Sequence, residues 1–331
     1  MMKLFFLLVL AAMVFQVSAV DAQSEDQSPV WPEQVYAPYI YPNYNLSMLA
    51  DELGLKYFTL AFVLDGGNCQ PRWGGSTQLG QYFLLQDIER LREQGGDVIV
   101  SLGGAGGNEL GLTCPDVETL TAAYQRVIDT LEVTHLDFDI EGDEIRDPES
   151  IARRSEAIAS LQSTNENLVV SFTLPVIPTG LTNEGIAVLQ SAIDHGVMID
   201  IINLMTMNFG ESFPSDQMGE NTIQAAHSLH EQLQALYPDA DPDDLWGMIG
   251  LTPMIGINDV QAEIFTLEDA SLVTEFAQTQ GIGLLSIWSV DRDHECISGQ
   301  AALMPTCSGT LQEDYAFSII FQAFTSTVED E

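Results

Sequence analysis

The chain has 331 residues, of which 49 are Asp or Glu and 10 are Lys or Arg, so its formal net charge at pH 7 is −39. The acidic residues are spread along the whole chain rather than gathered in a tail, and such a surface repels nucleic acids and anionic membranes. We therefore expect neither a nucleic-acid nor a membrane partner, and a neutral substrate rather than a polyanion. Strong self-repulsion also predicts a monomer.

The first 22 residues are typical of a secretory signal peptide. Lys3 supplies the charged start, an apolar run follows, and Ala19 and Ala22 are small residues suited to cleavage. The apolar run is short for a membrane helix and lacks a basic flank. We expect a secreted, extracellular protein with a signal peptide over residues 1–22, a disordered polar lead-in over 23–30 and one catalytic domain over 31–331.

The few lysines indicate adaptation to salt. Only Lys3 and Lys56 are present, and Lys3 falls in the predicted signal peptide. The composition resembles that of proteins from salty habitats, where ions screen the repulsion between carboxylates. We predict that the midpoint of thermal unfolding rises between low and molar salt, and an unchanged midpoint would contradict halophilic adaptation.

Four cysteines in an exported chain predict two disulfides. The residues are Cys69, Cys114, Cys296 and Cys307, and sequence alone allows three pairings. A bond between Cys296 and Cys307 closes a short local loop and leaves Cys69 for Cys114, so we favour that pairing. The cysteine spacing fits no zinc pattern and the five histidines do not cluster, so we expect no metal and no other cofactor.

Strand-like segments alternate with amphipathic helical segments along the chain. The predicted strands are Val35 to Ile40, Tyr57 to Val63, Asp97 to Leu102, His135 to Ile140, Leu168 to Thr173, Ile199 to Met205, Gly247 to Leu251 and Gly283 to Trp288. The predicted helices are Leu85 to Gln94, Val117 to Leu131, Glu149 to Gln162, Asn183 to His195, Thr222 to Leu236, Leu267 to Gln280 and Glu313 to Phe324. Eight apolar strands, most followed by a helix, predict an α/β fold, a single (β/α)8 TIM barrel. The alternative, an open doubly wound sheet, lacks support because no glycine-rich phosphate turn follows the first strand.

The predicted fourth strand carries three acidic residues at alternate positions, Asp137, Asp139 and Glu141, with large apolar residues between them. Side chains of a strand alternate between its two faces, so these acids share one face at spacings of about 6 to 7 Å. Three acids at alternate positions are expected about once by chance in so acidic a chain. Carboxylates on a buried strand are nevertheless costly without a role, and barrel enzymes have their active sites where strands end.

This acid ladder, Asp137, Asp139 and Glu141, suits proton transfer. The pKa of a carboxyl group rises among other carboxylates in an apolar wall, because losing the last proton concentrates like charge in poor solvent. Glu141, nearest the mouth, is therefore the predicted general acid. Most glycosidases need a second, separated carboxylate, and none is evident here. A sugar whose own 2-acetamido oxygen attacks the anomeric carbon does not need one, and Asp139 would then orient that amide.

Several segments resemble glycoside hydrolase family 18, the retaining chitinases. Asp137-Phe-Asp139-Ile-Glu141 matches the family signature Asp-x-Asp-x-Glu, and Ser101-Leu-Gly-Gly104 matches its Ser-x-Gly-Gly. Segments similar to those of secreted bacterial members follow in the same order at 37–39, 59–62, 205–210, 250–256 and 285–292. The resemblance spans essentially the whole predicted mature chain.

The resemblance implies an enzyme that hydrolyses β-1,4 linkages between N-acetylglucosamine units of chitin or its oligosaccharides, with retention and without a cofactor. It makes Glu141 the proton donor, Asp139 the group that holds the N-acetyl group, and Asp137 a carboxylate that shares a proton with Asp139. Trp288, at the end of the eighth strand, would stack under the sugar. The other implied substrate contacts are Tyr39, Phe62, Met205, Met207, Asn208 and Phe209.

Asn208 and Phe209 depart from the family pattern, in which Asp and Tyr contact the acetamido group. Asn can still hydrogen-bond an amide, but Phe has no hydroxyl and Asn carries no charge. A catalytically weak or inactive chitin-binding lectin on the same barrel is therefore an alternative, although the presence of Glu141 argues against it. A second alternative is an endo-β-N-acetylglucosaminidase that acts on glycoprotein glycans, because such enzymes share the acid ladder.

Overall fold

The structure is a computed structural model that describes residues 31–42, 45–297 and 304–325. The predicted signal peptide and lead-in lie outside the described residues. The strands are β1 (Val35–Tyr36), β2 (Tyr39–Ile40), β3 (Tyr57–Asp65), β4 (Pro71–Trp73), β5 (Thr77–Gln78), β6 (Asp97–Gly103), β7 (His135–Asp139), β8 (Val169–Ile177), β9 (Gly180–Leu181), β10 (Ile201–Met205), β11 (Ile249–Thr252), β12 (Gly256–Ile257), β13 (Ile264–Phe265) and β14 (Leu284–Leu285). The helices are α1 (Leu46–Leu53), α2 (Tyr82–Glu93), α3 (Leu110–Thr113), α4 (Val117–Leu131), α5 (Pro148–Gln162), α6 (Asn183–Asp194), α7 (Met218–Leu236), α8 (Leu267–Gln280) and α9 (Ala316–Gln322).

The parallel strands form a barrel. Their order is β1-β14-β11-β10-β8-β7-β6-β3, so strands that follow one another in the chain are neighbours in the sheet. Residues 35–40 act as one interrupted strand, because β1 pairs with β14 and β2 pairs with β3. This segment joins the two ends of the sheet. The predicted (β/α)8 barrel is confirmed.

The strand and helix bounds differ from the prediction where short elements or prolines intervene. The first strand breaks at Ala37 and Pro38, and proline has no N–H to donate to a sheet. The eighth is reduced to β14, although the Ser286 and Trp288 N–H groups still donate to the Leu251 and Pro253 carbonyls, each at 2.9 Å. Helices α1 and α3 and the strands β4, β5, β9, β12 and β13 were not predicted, because periodicity gives little signal over two to eight residues.

The predicted disulfide pairing is confirmed. Cys69 bonds to Cys114, with Cα atoms 4.9 Å apart, and Cys296 bonds to Cys307, with Cα atoms 5.1 Å apart. The first bond ties the turn between β3 and β4 to the end of α3. It therefore links two of the loops at the carboxyl end of the barrel.

A buried ion pair connects α3 to α5. The Arg154 Nη2 atom lies 2.9 Å from Glu109 Oε2, and the two side chains are 1% and 4% exposed. Glu109 also caps α3 by accepting a hydrogen bond from the Leu112 N–H at 2.8 Å. Burial by itself raises the pKa of the Glu109 carboxyl, but the charge and hydrogen bonds of Arg154 outweigh it and hold that pKa below its usual value.

His135 is buried at the amino-terminal end of β7. Its Nε2 atom lies 3.1 Å from the Ser171 hydroxyl, and its ring packs edge-on against Trp31 with centroids 5.0 Å apart. No carboxylate among the described residues forms an ion pair with it. Burial therefore lowers the pKa of His135 to about 3.

We predict that His135 makes the protein less stable in acid. The unfolded chain binds a proton on this imidazole below about pH 6.5, whereas the folded protein does so only near pH 3. The free energy of unfolding should thus fall as the pH drops through this window, by roughly 3 kcal/mol at pH 4 from this group. His135→Asn should flatten the pH dependence of urea unfolding between pH 6.5 and 4. The exposed-site variant His195→Asn is the control, and an equal slope in both variants would contradict the prediction.

Within residues 31–42, 45–297 and 304–325, no helix is both long and apolar enough to cross a membrane. The same residues contain no group of three or more His, Cys, Asp or Glu side chains that could hold a metal ion.

Candidate active site

Asp137 lies in the barrel interior and accepts four hydroxyl hydrogen bonds. Ser101 and Tyr39 donate to its Oδ2 atom at 2.6 and 3.0 Å, and Ser171 and Thr173 donate to Oδ1 at 2.7 and 2.8 Å. Strand register explains the first contacts, because Ser101 and Ser171 are the partners of Asp137 on β6 and β8. Burial raises the pKa of Asp137, while the four hydroxyls oppose that rise. Four donors match the acceptor capacity of a carboxylate, so this setting suits the charged form rather than the proton shared with Asp139 that the family resemblance implies.

A chain of polar side chains across the barrel orients these hydroxyls. Thr252 donates its hydroxyl to Asn203 Oδ1 at 2.8 Å, and the Asn203 amide donates to Thr173 Oγ1 at 2.9 Å. Thr173 is thereby left to donate its own proton to Asp137. Asn203 and Thr252 were not predicted as site residues. Each is a polar residue at an inward-facing position of an otherwise apolar strand, and this pattern could have identified both as site residues.

Asp139 and Glu141 form a second, coupled unit nearer the mouth. Asp139 is buried, and its pKa is raised well above the usual value by burial, by the charges of Glu141 and Asp137, and by its hydrogen bond with Glu141. Burial also raises the pKa of Glu141, and the charges of Glu144 and Asp259 add to it, while the hydrogen bond from Asp139 opposes the rise. The pair of carboxyl groups therefore loses its last proton at a higher pH than an isolated acid does.

The Ser-x-Gly-Gly segment has a structural reason for both glycines. Gly103 has a φ of +112°, and a Cβ atom there would lie 2.0 Å from the Asp139 carbonyl oxygen. Gly104 has a φ of +90°, its N–H donates to that same oxygen at 3.0 Å, and a Cβ would lie 2.9 Å from the Phe62 ring. This close approach of backbones positions Asp139 beside the cleft wall.

The cleft above the ladder has aromatic and sulfur-containing walls. It contains about 530 Å³ of open space, solvent at its mouth included, and its lining residues are Tyr39, Phe62, Ala105, Asp139, Glu141, Thr173, Met205, Met207, Asn208, Thr252, Asp259 and Trp288. Trp288 stacks on Phe62 with centroids 5.5 Å apart and meets the edges of Tyr39 and Tyr41 at 5.8 and 5.9 Å. Every predicted substrate contact except Phe209 lines this cleft, as do Asp139 and Glu141, while Asp137 is buried in the barrel interior.

Phe209 does not line the cleft, contrary to the expected substrate contact. Its side chain is buried, and the ring packs against Phe213 with centroids 6.4 Å apart. Its backbone N–H donates to Glu263 Oε2 at 3.0 Å. This hydrogen bond holds the loop after β10 in a position that places the Phe209 ring in the core. Its neighbour Asn208 does reach the cleft, where it hydrogen-bonds Asp259. Asp259 was not predicted, although an acid just after the seventh strand is a usable signal in a barrel.

Known proteins share much of this chain. A probable bifunctional chitinase/lysozyme of Escherichia coli (strain K12) is 39% identical in an alignment 315 residues long that covers 89% of this chain and 35% of that protein. Endochitinase 11 of Metarhizium anisopliae is 38% identical in an alignment 278 residues long that covers 80% of this chain and 53% of that protein. The chain thus spans between a third and just over half of the length of these curated relatives. No family model matches the chain.

A solved structure decides the family. The catalytic domain of the hyperthermophilic chitinase from Pyrococcus furiosus is 38% identical, superimposes with a TM-score of 0.82, and is matched over 89% of this chain and 96% of that one. The chain belongs to glycoside hydrolase family 18, the chitinases. A family 18 chitinase from Pseudoalteromonas aurantia, at 16% identity and a TM-score of 0.56, shares the fold of this family 18 chain. The family resemblance noted in the sequence is confirmed.

Proposed function

We propose that the protein is a secreted retaining glycosidase that hydrolyses the β-1,4 linkages between N-acetylglucosamine units of chitin and its oligosaccharides. The observation that carries this proposal is the coupled pair of Asp139 and Glu141 at the foot of an aromatic cleft. The Pyrococcus furiosus relative has been solved in complex with chito-oligosaccharides, which supports the substrate class.

Glu141 acts as the general acid. A general acid must hold a proton at the working pH, and burial together with neighbouring carboxylates raises the pKa of Glu141. Glu141 lines the open cleft and is half-buried, whereas Asp139 lines the same cleft but is only 4% exposed. Of the two, Glu141 can therefore pass the pair's last proton to the oxygen of the leaving sugar.

Asp139 assists attack by the substrate's own amide. As Glu141 gives up its proton, the 2-acetamido oxygen bonds to the anomeric carbon, the glycosidic bond breaks, and positive charge develops on the resulting ring. The Asp139 Oδ1 atom is buried without a hydrogen-bond partner among the described side chains, so it is available to accept from the acetamido N–H. The negative charge of Asp137, beneath Asp139, stabilises the developing positive charge. Water then gives a proton to the Glu141 carboxylate and bonds to the anomeric carbon, and the bond from that carbon to the acetamido oxygen breaks, which restores the acid and gives net retention.

The aromatic floor binds the sugar. Trp288 presents a half-buried ring, held by Phe62 and Tyr39, to a neutral pyranose. Sugars pack their C–H faces on such rings, and binding by packing suits a neutral ligand in a protein of net charge −39. The signal-type amino terminus and the two disulfides support secretion. The self-repulsion of this charge supports a monomer, and the same charge is the basis for the predicted stabilisation by salt.

The deciding experiment incubates the purified protein with a defined N-acetylglucosamine oligomer at low and high salt and identifies the products. NMR of the first products should show the β-anomer, since retention is expected. Oligosaccharide binding without any product would support the lectin, and release of glycans from a glycoprotein but no cleavage of chitin oligomers would support the endo-β-N-acetylglucosaminidase. An α-anomeric first product would overturn substrate assistance.

A further inference from the structure

Asp259 is an acidic residue of the cleft with no role in the proposed reaction so far. It lies in the loop after β12, follows the seventh barrel strand, and lines the same cleft as Glu141 and Trp288. It is exposed, so its charge is hydrated until a ligand covers it. A carboxylate in this position is an acceptor for the hydroxyl or amide N–H of a bound amino sugar.

Asn208 holds Asp259 through one hydrogen bond to its carboxylate and one to the backbone that follows it. The Asn208 amide nitrogen donates to Asp259 Oδ2 at 3.0 Å, and the Asn208 amide oxygen accepts from the Val260 N–H at 3.0 Å. Asn208 has a φ of +53°, a left-handed conformation that Asn tolerates better than most residues. One Asn therefore holds both the acid and the backbone beside it, and a carboxylate so bound still has acceptor capacity.

The loops that carry this pair are themselves clamped together. The Glu263 carboxylate, 1% exposed, accepts from the Phe209 and Gly210 N–H groups at 3.0 and 2.7 Å. Asn258 Oδ1 accepts from the Asn208 N–H at 3.3 Å, and the Asn258 amide donates to the Met254 and Gly256 carbonyls at 2.8 and 3.1 Å. This buried support positions the exposed acid, as the geometry of a binding residue requires.

Charge is the second property that Asp259 brings to the cleft. The groups that act on Glu141 are Asp139 on its own strand, Glu144 in the loop after β7 and Asp259 in the loop after β12. Tyr39 hydrogen-bonds Asp137 at the inner end of the ladder, and the charge of Asp259 also acts on Arg292, which donates to the Ile255 and Ile257 carbonyls. Of the two acids outside the ladder, Glu144 and Asp259, only Asp259 lines the cleft.

We propose that Asp259, held by Asn208, is a substrate-contacting residue that accepts a hydrogen bond from the amino sugar beside Glu141 and helps to keep Glu141 protonated. This inference rests on the proposed function. Asp259 would thus affect both the binding of the amino sugar and the acidity of Glu141, and the two effects can be measured separately.

The binding test uses the Glu141→Gln background, in which turnover is expected to be about 10³-fold slower. Calorimetry with an N-acetylglucosamine oligomer should show an affinity about 10-fold lower in Glu141→Gln/Asp259→Asn than in Glu141→Gln alone, because a charged hydrogen bond is lost. Asn keeps an oxygen for the Asn208 amide, so the loops should keep their fold, which the thermal midpoint checks. Equal affinities would overturn the contact.

The acid-strength test compares pH profiles of kcat/KM. Asp259→Asn should move the alkaline limb to lower pH, because one negative charge near Glu141 is removed. Glu144→Gln should move the alkaline limb in the same direction without changing the affinity for the oligomer. Glu166→Gln, on the opposite face of the barrel, should change neither the limb nor the affinity. If Asp259→Asn moves the alkaline limb but leaves the affinity unchanged, as expected for Glu144→Gln, the contact between Asp259 and the sugar is refuted. If the limb does not move in Asp259→Asn, the effect of the Asp259 charge on Glu141 is refuted.

A charge exchange tests the role of Asn208. Asn208→Asp alone places two carboxylates in contact and should lower kcat/KM about 10-fold, whereas Asn208→Asp/Asp259→Asn restores a donor and an acceptor and should recover most of the loss. Additive losses would contradict the pairing. If wild-type protein cleaves no oligomer, the proposed function fails, while the affinity comparison still decides whether Asp259 contacts the sugar.

Discussion

Glu141→Gln is expected to lower kcat on chitin oligomers by about 10³-fold while leaving the fold intact, because a general acid contributes in that range. Gln has the shape of Glu and still accepts the hydrogen bond from Asp139, but it has no acidic proton to give to the leaving sugar. The wild-type rate should fall as the pH rises through the pKa of the Asp139 and Glu141 pair, since the acid must be protonated. This limb should be absent from any residual activity of the variant.

The measurement is initial rate against pH on a defined oligomer, with calorimetry of oligomer binding to the variant. Glu166→Gln makes the same chemical change on an exposed loop and should keep wild-type rates. A Glu141→Gln protein with undiminished turnover would exclude Glu141 as the acid. Lost turnover together with lost binding would point to a disturbed cleft rather than to a missing proton.

Arg154→Met is expected to lower the free energy of unfolding by about 3 to 5 kcal/mol, because it leaves the Glu109 carboxylate buried without its partner. The pair's contribution should be present above the pKa of an unfolded Glu and be lost as the pH falls through the lowered pKa of Glu109. Urea unfolding at pH 7 measures the loss.

Two further variants make the result specific. Arg90→Met, at an exposed position on α2, removes the same type of side chain and should change the free energy of unfolding by less than about 0.5 kcal/mol. Glu109→Gln/Arg154→Met removes both charges and keeps an oxygen for the α3 cap, so it should be more stable than Arg154→Met. Equal losses in the single and double variants would show that packing of Arg154, rather than its charge, is what stabilises this region.

Much of the site could be read from local sequence patterns. The alternation of Asp137, Asp139 and Glu141 with apolar residues predicted both the strand and the shared face, since the period of a strand is two residues. The disulfide between Cys296 and Cys307 followed from a short loop. Phe209 was misplaced because a single position in a loop after a strand has no periodicity from which its direction can be inferred.

The sequence by itself determined the order of strands and helices, the acid ladder and the family, because hydrophobic period and motif spacing are local properties of the chain. Only the tertiary structure decided which hydroxyls surround Asp137, that Arg154 pairs with Glu109, and that Asn208 holds Asp259. Tyr39 and Asp137 are 98 residues apart in the chain and 3.0 Å apart in the barrel. Such contacts depend on strand register and on the joining of the first and last strands, which bring together residues that no local pattern connects.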